Sequence, residues 1–185
     1  VHTASGMGAA VNDGVSRTID LYRRSSRPYD DQGGNYQLIT SGLGLRFGVP
    51  YTEIDRITFG LTYERNRLNL GANAPNRFKE YVEAFGETSW AVLGNIGWLR
   101  DERDSPITPT RGLFVSSNLE FTLPVGDLRY TRANIDLQWY KPLTKDYTIG
   151  LYGSVARGWA LDDTIYPIFK NYYAGGIGSV RGFEA

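Results

Sequence analysis

The sequence predicts an all-β fold: an antiparallel transmembrane β-barrel, of which about seven consecutive strands are present. Three observations support this prediction. Apolar and polar residues alternate along most of the chain, aromatic residues form 14% of it, and it contains 22 glycines. Alternation with a period of two is typical of strands with one apolar face, and aromatic residues favour strands. The predicted strands span ten or more residues, enough for a tilted strand to cross a bilayer.

The first four predicted strands each place apolar residues on one face. Strand 15–24 has the weakest pattern, with Val15, Ile19 and Leu21. Strand 36–49 carries Ile39, Leu43, Leu45, Phe47 and Val49. Strand 56–68 alternates most clearly and carries Ile57, Phe59, Leu61 and Tyr63. Strand 88–99 carries Trp90, Val92, Ile96 and Trp98.

Three further strands follow the same rule. Strand 113–125 carries Leu113, Val115, Leu119, Phe121, Leu123 and Val125. Strand 129–141 carries Ala133, Ile135, Leu137 and Trp139. Strand 147–160 carries Ile149, Leu151, Val155 and Trp159. Between the third and fourth strands, residues 76–87 instead follow the spacing of an amphipathic helix, which we expect to lie over a barrel mouth; its apolar residues are Phe78, Tyr81, Val82 and Phe85.

Composition excludes several classes of protein. The 20 basic and 20 acidic residues balance, so nothing points to a nucleic-acid partner. The absence of cysteine excludes thiol catalysis and Cys-ligated zinc. The only histidine is His2, which argues against a His-ligated metal and a Ser-His hydrolase. We therefore expect no enzymatic activity, no cofactor and no metal site.

The apolar face could line a soluble barrel or meet lipid, and three features favour lipid. The strands are long, and aromatic residues lie near their ends, as in interfacial girdles. Arginines that share the apolar face lie near strand ends, where they cost only about 0–1 kcal/mol: Arg17, Arg23, Arg129 and Arg157. The polar face holds mid-strand charges that we expect to line a hydrated lumen: Arg46, Glu64, Glu120, Arg132 and Asp136.

Seven strands cannot close a bacterial barrel, which has an even number. An open sheet would leave backbone groups unpaired in lipid, at several kcal/mol each. The sequence therefore predicts a slice of a larger barrel. Because the chain starts at Val1, we expect a piece of a longer protein, with residues 1–10 a possible leader or cloning remnant and residues 11–185 part of the barrel domain.

Two motifs carry a family resemblance. The chain ends on Val180, Arg181, Gly182 and Phe183 after a glycine-rich stretch, and the turn before the fifth predicted strand holds Asp104, Pro109 and Gly112. Together with "NDGVS" at 12–16 and "IYPIFKNYYAGG" at 165–176, they resemble the BamA family of outer-membrane β-barrel assembly proteins. The resemblance covers about residues 11–185.

The resemblance implies a sixteen-stranded parent barrel in the outer membrane of a Gram-negative bacterium, with these strands as its fifth to eleventh. The final segment would be a loop folded into the lumen, where Arg181 meets acidic side chains on later strands. Asp104, Pro109 and Gly112 would form a periplasmic turn. The implied function is folding and insertion of barrel proteins, by templating client strands at a seam outside this chain. The implied partners are unfolded outer-membrane clients, lipoproteins docked on periplasmic domains and outer-membrane lipid.

Two alternatives stay open at this point. A polypeptide exporter of two-partner secretion belongs to the same superfamily, but its related motif often ends in Tyr where this chain has Phe183. A passive outer-membrane channel would share the alternating strands and the hydrated lumen. Neither alternative requires catalytic residues.

Overall fold

A computed structural model describes residues 3–12, 14–27, 36–71 and 74–172. They form a single antiparallel sheet in which each strand pairs with the next along the chain. The eight strands are β1 (Thr3–Asn12), β2 (Val15–Ser26), β3 (Tyr36–Pro50), β4 (Asp55–Leu70), β5 (Thr88–Asp101), β6 (Gly112–Gly126), β7 (Tyr130–Pro142) and β8 (Thr148–Ala160). Helix α1 (Asn76–Phe85) lies between β4 and β5, and a 3-10 helix (Ile168–Lys170) follows β8.

The structure confirms the prediction of about seven consecutive strands and adds one more strand at the start of the sheet. Strands β2 to β8 match the predicted strands within two residues at each end. The additional strand, β1, pairs with β2 from Thr3 opposite Arg24 to Asn12 opposite Val15. Its sequence, TASGMGAAVN, is mostly small residues and has no clear alternation. The sheet ladder is made by backbone groups, so a strand needs no apolar pattern to pair with its neighbour.

The register aligns the apolar residues of neighbouring strands on one side, the outer face. Leu45 of β3, for example, lies opposite Ile19 of β2 and Leu61 of β4. These side chains are about half exposed, as expected for a surface that meets lipid rather than a protein core. The opposite side, the inner face, carries the polar residues and borders an open cavity of about 800 Å³. The all-β antiparallel prediction, with polar and apolar faces, is confirmed.

The connections differ between the two ends of the strands. One end, the turn rim, holds the connections at 51–54, 102–111 and 143–147. The other end, the loop rim, holds the longer connection with α1 at 71–87, the short connection at 127–129 and the segment that follows β8. In outer-membrane barrels the short turns face the periplasm and the long loops face outward.

The hydrophobic core sits on the inner face at the loop rim. Helix α1, predicted from its periodicity, inserts Phe78 and Tyr81 into this core, where Tyr81 meets Phe169 edge to face at 5.3 Å. The buried members of the core are Leu68, Phe78, Tyr81, Ala91, Leu93, Leu128, Tyr130 and Ile168. The core therefore fixes the segment after β8 against α1 and the strands.

Within the described residues, β1 and β8 each pair on one side only, so the sheet is open. This agrees with the prediction of a partial barrel. In the part of the chain that the structure covers, no helix has the length and apolarity needed to span a membrane.

Candidate functional site on the inner face

A buried lysine bridges two strands of the wall. Lys170 ends the short helix after β8, and its Nζ lies 2.7 Å from Oε1 of Glu64 on β4. The same Nζ lies 3.8 Å from Oε1 of Glu120 on β6. The three side chains are 7–14% exposed. A loop segment is thus ionically bound to the middle of the inner face.

The carboxylate of Glu64 is also held by side chains of the wall strands. The Tyr22 hydroxyl donates to Oε2 at 3.0 Å, and Asn66 Nδ2 donates to Oε1 at 3.0 Å. Asn66 is itself oriented because its Oδ1 accepts a hydrogen bond of 2.8 Å from Thr40. Three neighbouring strands, β2 to β4, therefore fix one carboxylate through a connected set of hydrogen bonds.

Glu120 is fixed in a comparable way by β7. Arg132 Nε lies 2.9 Å from Oε1 and its NH2 donates to Oε2 at 3.1 Å, a two-point geometry that suits guanidinium and carboxylate. The Tyr130 hydroxyl donates to Oε1 at 2.8 Å. The carboxylate of Glu120 is therefore paired with the guanidinium of Arg132. Glu64 is the primary counter-ion of Lys170.

The segment that carries Lys170 is positioned by Tyr166. The Tyr166 hydroxyl donates to the backbone oxygen of Lys170 at 3.0 Å, and its ring packs edge to face on Tyr130 at 5.7 Å. The phenol lies against Gly158 of β8 so closely that a methyl group there would overlap its oxygen. Only glycine leaves room for this contact.

The structure places all five predicted lumenal charges on the inner face. Glu64, Glu120 and Arg132 meet in the cluster around Lys170. Arg46 lies apart and donates to Asp20 at 3.0 Å. Asp136 lies further along β7 and accepts a hydrogen bond of 2.6 Å from Ser154. That these charges serve a function stays a prediction.

The predicted loop motif and the predicted turn motif have different outcomes. Val180, Arg181, Gly182 and Phe183 lie outside the described residues. In the turn, Asp104 accepts hydrogen bonds from the amides of Thr110 at 2.9 Å and Arg111 at 3.2 Å, and also from the Thr110 hydroxyl. These donors lower the pKa of Asp104 to about 2.

Gly112 closes the same turn in a conformation that other residues rarely adopt. Its φ is +116°, and a Cβ there would overlap the carbonyl oxygen of Glu102. Pro109 lies between Asp104 and Gly112 and restricts the backbone of the turn. The Asp and Gly of the motif thus both have a local structural task, whatever further role the turn has.

Sequence reasoning missed Lys170, Tyr22 and Asn66. Lys170 is the only lysine in the aromatic stretch 165–176, and a lone cation there could have been noticed. Its partner Glu64 could not have been identified from the sequence, because it lies 106 residues earlier in the chain (170 − 64). The sequence pointed to Arg181 as the lumenal cation, and the structure adds Lys170 ten residues before the motif begins at Val180.

Comparison with known proteins agrees with this architecture. A family model described as the Omp85 superfamily domain matches residues 9–185. The outer membrane protein assembly factor BamA of Neisseria meningitidis serogroup B is 37% identical over 185 residues, which is 94% of this chain. BamA of Nitratidesulfovibrio vulgaris is 30% identical over 187 residues, 98% of this chain. This chain spans 23% and 22% of the length of those relatives.

A solved structure shares the fold. The crystal structure of BamA from Haemophilus ducreyi lacking POTRA domains 1–3 matches with a TM-score of 0.86 at 23% identity. The match covers 98% of this chain and 37% of that one. The resemblance to the BamA family that the sequence motifs indicated is confirmed. The chain therefore belongs to the Omp85 superfamily, and the eight strands of its described residues are part of a β-barrel of the bacterial outer membrane.

Proposed function

We propose that this chain is part of the barrel of an outer-membrane insertase that folds and inserts other β-barrel proteins. The observation that carries the proposal is the 37% identity, across 94% of the chain, to a protein named as an outer membrane protein assembly factor. The match covers the wall strands, α1 and the segment after β8 together. The proposal concerns a part of the machine, since this chain spans under a quarter of that relative.

In this proposal the eight strands supply the wall, and the segment after β8 supplies the first part of a lumenal plug. Lys170 anchors the segment after β8 to Glu64 and Glu120 on the inner face. The motif that contains Arg181 follows ten residues later. We propose that Arg181 is a second anchor, bound to acidic side chains on strands of the parent barrel outside this chain. Two ionic anchors would fix the course of the loop at both ends.

Client folding would use strand pairing at a sheet edge. An exposed edge can accept an added strand through backbone hydrogen bonds. In lipid the edges of β1 and β8 must be paired, because an unsatisfied backbone group costs several kcal/mol. We therefore assign the seam that receives clients to strands outside these eight. Unfolded outer-membrane proteins are the proposed clients, lipoproteins docked on periplasmic domains the proposed accessory partners, and outer-membrane lipid the surrounding medium.

No catalytic role is proposed for any residue of this chain. The packed core at the loop rim supports an assembly role over a passive channel, because α1 and residues 161–172 occupy space that a steady pore would need open. The motif with Phe183 supports assembly over two-partner export. The passive channel and the polypeptide exporter each predict a different result when the full-length protein is tested in liposomes.

The test uses the full-length protein in liposomes with an unfolded client barrel. Folding of the client is followed by its heat-sensitive mobility shift on gels, and conductance is measured in a planar bilayer. We expect faster client folding than in liposomes that contain an unrelated folded barrel, with low and unsteady conductance. Large, steady conductance without acceleration would identify a channel and overturn the proposal. Transport of an exported polypeptide without acceleration would identify an exporter.

A further inference from the structure

Three arginines emerge from the outer face close to the loop rim. Arg23 lies on β2, and Arg65 and Arg67 lie on β4; all three side chains are exposed. We call them the outer arginine group. Their neighbours on this face include Leu21 and Leu43, which belong to the apolar surface that meets lipid.

The strand register brings the three arginines together. Arg23 lies opposite Ser41 on β3, and Ser41 lies opposite Arg65 on β4. Two strand spacings separate the backbones of Arg23 and Arg65, which is about 10 Å. Arg65 and Arg67 point to the same side of β4, about 7 Å apart along the strand. The long side chains can therefore converge on one ligand from three positions.

The aromatic residues beside the group mark its depth in the membrane. Arg65 lies opposite Trp90 on β5, and the ring of Trp90 lies 5.9 Å from that of Tyr63. Tyrosine and tryptophan on the outside of a barrel gather at the level of the lipid headgroups. The loop rim is the end that faces outward. The outer arginine group thus lies at the headgroup level of the outer leaflet.

Among the described residues, no carboxylate pairs with an arginine of this group. The only side-chain hydrogen bond seen in the group runs from Arg67 Nε to Asn69 Oδ1, at 3.2 Å, within the described residues. On the inner face, in contrast, Arg132 is fully paired with Glu120. Like charges held close together are unfavourable unless an anion joins them.

We propose that the outer arginine group binds the phosphate groups of a phosphorylated lipid headgroup in the outer leaflet. Guanidinium groups bind phosphate through two parallel hydrogen bonds, which makes arginine suited to this ligand. A lipid fits better than a soluble anion, because the same face continues into an apolar surface that acyl chains can cover. The site would hold this side of the barrel at a fixed depth in the membrane.

The test measures lipid adducts on the full-length protein by native mass spectrometry. The probes are lipid A with its phosphates and the same lipid after their removal. The protein is compared with Arg65→Gln and with a variant that combines Arg23→Gln, Arg65→Gln and Arg67→Gln. The matched control is Arg17→Gln, which removes an exposed outer-face arginine at the turn-rim end of β2. Heat-sensitive gel mobility confirms that each variant is folded.

We expect phosphorylated lipid A to bind the protein and the Arg17→Gln variant equally. Arg65→Gln should weaken this binding about tenfold, the effect of losing one charge-assisted contact, and the combined variant more. If the combined variant does not fold, the comparison of lipid binding by Arg65→Gln and Arg17→Gln tests the proposal. The proposal is overturned if the lipid without phosphates binds equally well, if Arg17→Gln weakens binding as much as Arg65→Gln, or if neither has an effect.

Discussion

The Nζ of Lys170, in the segment after the last strand, lies 2.7 Å from a carboxylate oxygen of Glu64 on the inner face of the wall. Both side chains are 10% exposed or less. A buried ion pair of this kind adds little net stability compared with an apolar pair, but removing one partner leaves an uncompensated charge. The pair therefore makes the position of the segment sensitive to single substitutions.

Lys170→Met should destabilise the folded protein by about 3 kcal/mol, the lower end of the range for a broken buried ion pair, because a cavity adjoins it. The free energy of unfolding would be measured by urea titration followed through tryptophan fluorescence. Lys145→Met, at an exposed lysine of the turn between β7 and β8, is the control and should change it by less than about 0.5 kcal/mol. Adding Glu64→Gln to Lys170→Met should recover part of the loss. No recovery would mean that the charge of Glu64 is not what Lys170 balances.

Gly158→Ala should displace the segment without touching a charged residue. A methyl group at this position overlaps the Tyr166 phenol, whose hydroxyl donates to the backbone of Lys170. We expect trypsin to cut after Lys170 faster in the folded variant than in the unaltered protein, where Lys170 is buried. Gly153→Ala, on the same strand with open space around it, should not change the rate. Equal cutting in both variants would show that the Tyr166 contact does not hold the segment.

Gly112→Ala should damage the turn between β5 and β6. Alanine would have to adopt a φ near +116° and would meet the carbonyl oxygen of Glu102. Strain of this kind costs about 1–3 kcal/mol before the steric overlap is counted. We expect a lower urea midpoint or a failure to fold, judged against Gly153→Ala. A midpoint equal to that of the control would contradict the observed conformation.

The same turn should loosen in acid. The pKa of Asp104 is lowered from 3.8 to about 2 by hydrogen bonds from Thr110 and Arg111. Because the folded state favours the ionised carboxylate, its contribution is complete above pH 3.8 and is lost as the pH falls toward about 2. Hydrogen exchange of the Thr110 and Arg111 amides should therefore lose protection in this interval. Asp104→Asn should remove the transition, and a transition that persists in this variant would assign it to another group.

Much of the sheet could be predicted from the sequence, because seven of its strands alternate apolar and polar residues. Residues 56–68 show why: Ile57, Phe59, Leu61 and Tyr63 meet lipid, while Glu64 faces the lumen. β1 was missed because its small residues carry no such contrast, although its backbone pairs fully with β2. Helix α1 was found because the period of its apolar residues changes from 2 to 3.6.

The contacts of the site could be predicted only in part. The alternation placed Glu64 and Glu120 on the same face, but periodicity does not say which cation will reach them. The pairing with Lys170 depends on the path of a segment without regular alternation, guided by Tyr166 and Gly158. The outer arginine group was also missed in part, since Arg65 and Arg67 become neighbours of Arg23 only through the register of three strands.

A chimera tests most directly whether this chain is the working wall of an assembly factor. The stretch of Neisseria meningitidis BamA that matches this chain would be replaced by residues 1–185 of this chain. The hybrid would be expressed in Neisseria meningitidis cells depleted of their own BamA. The amount of folded barrel proteins in the outer membrane is the measurement. We predict that the chimera restores it, and that the same chimera with Lys170→Met restores less. A chimera that is folded in the outer membrane but leaves other barrel proteins unassembled would contradict the account.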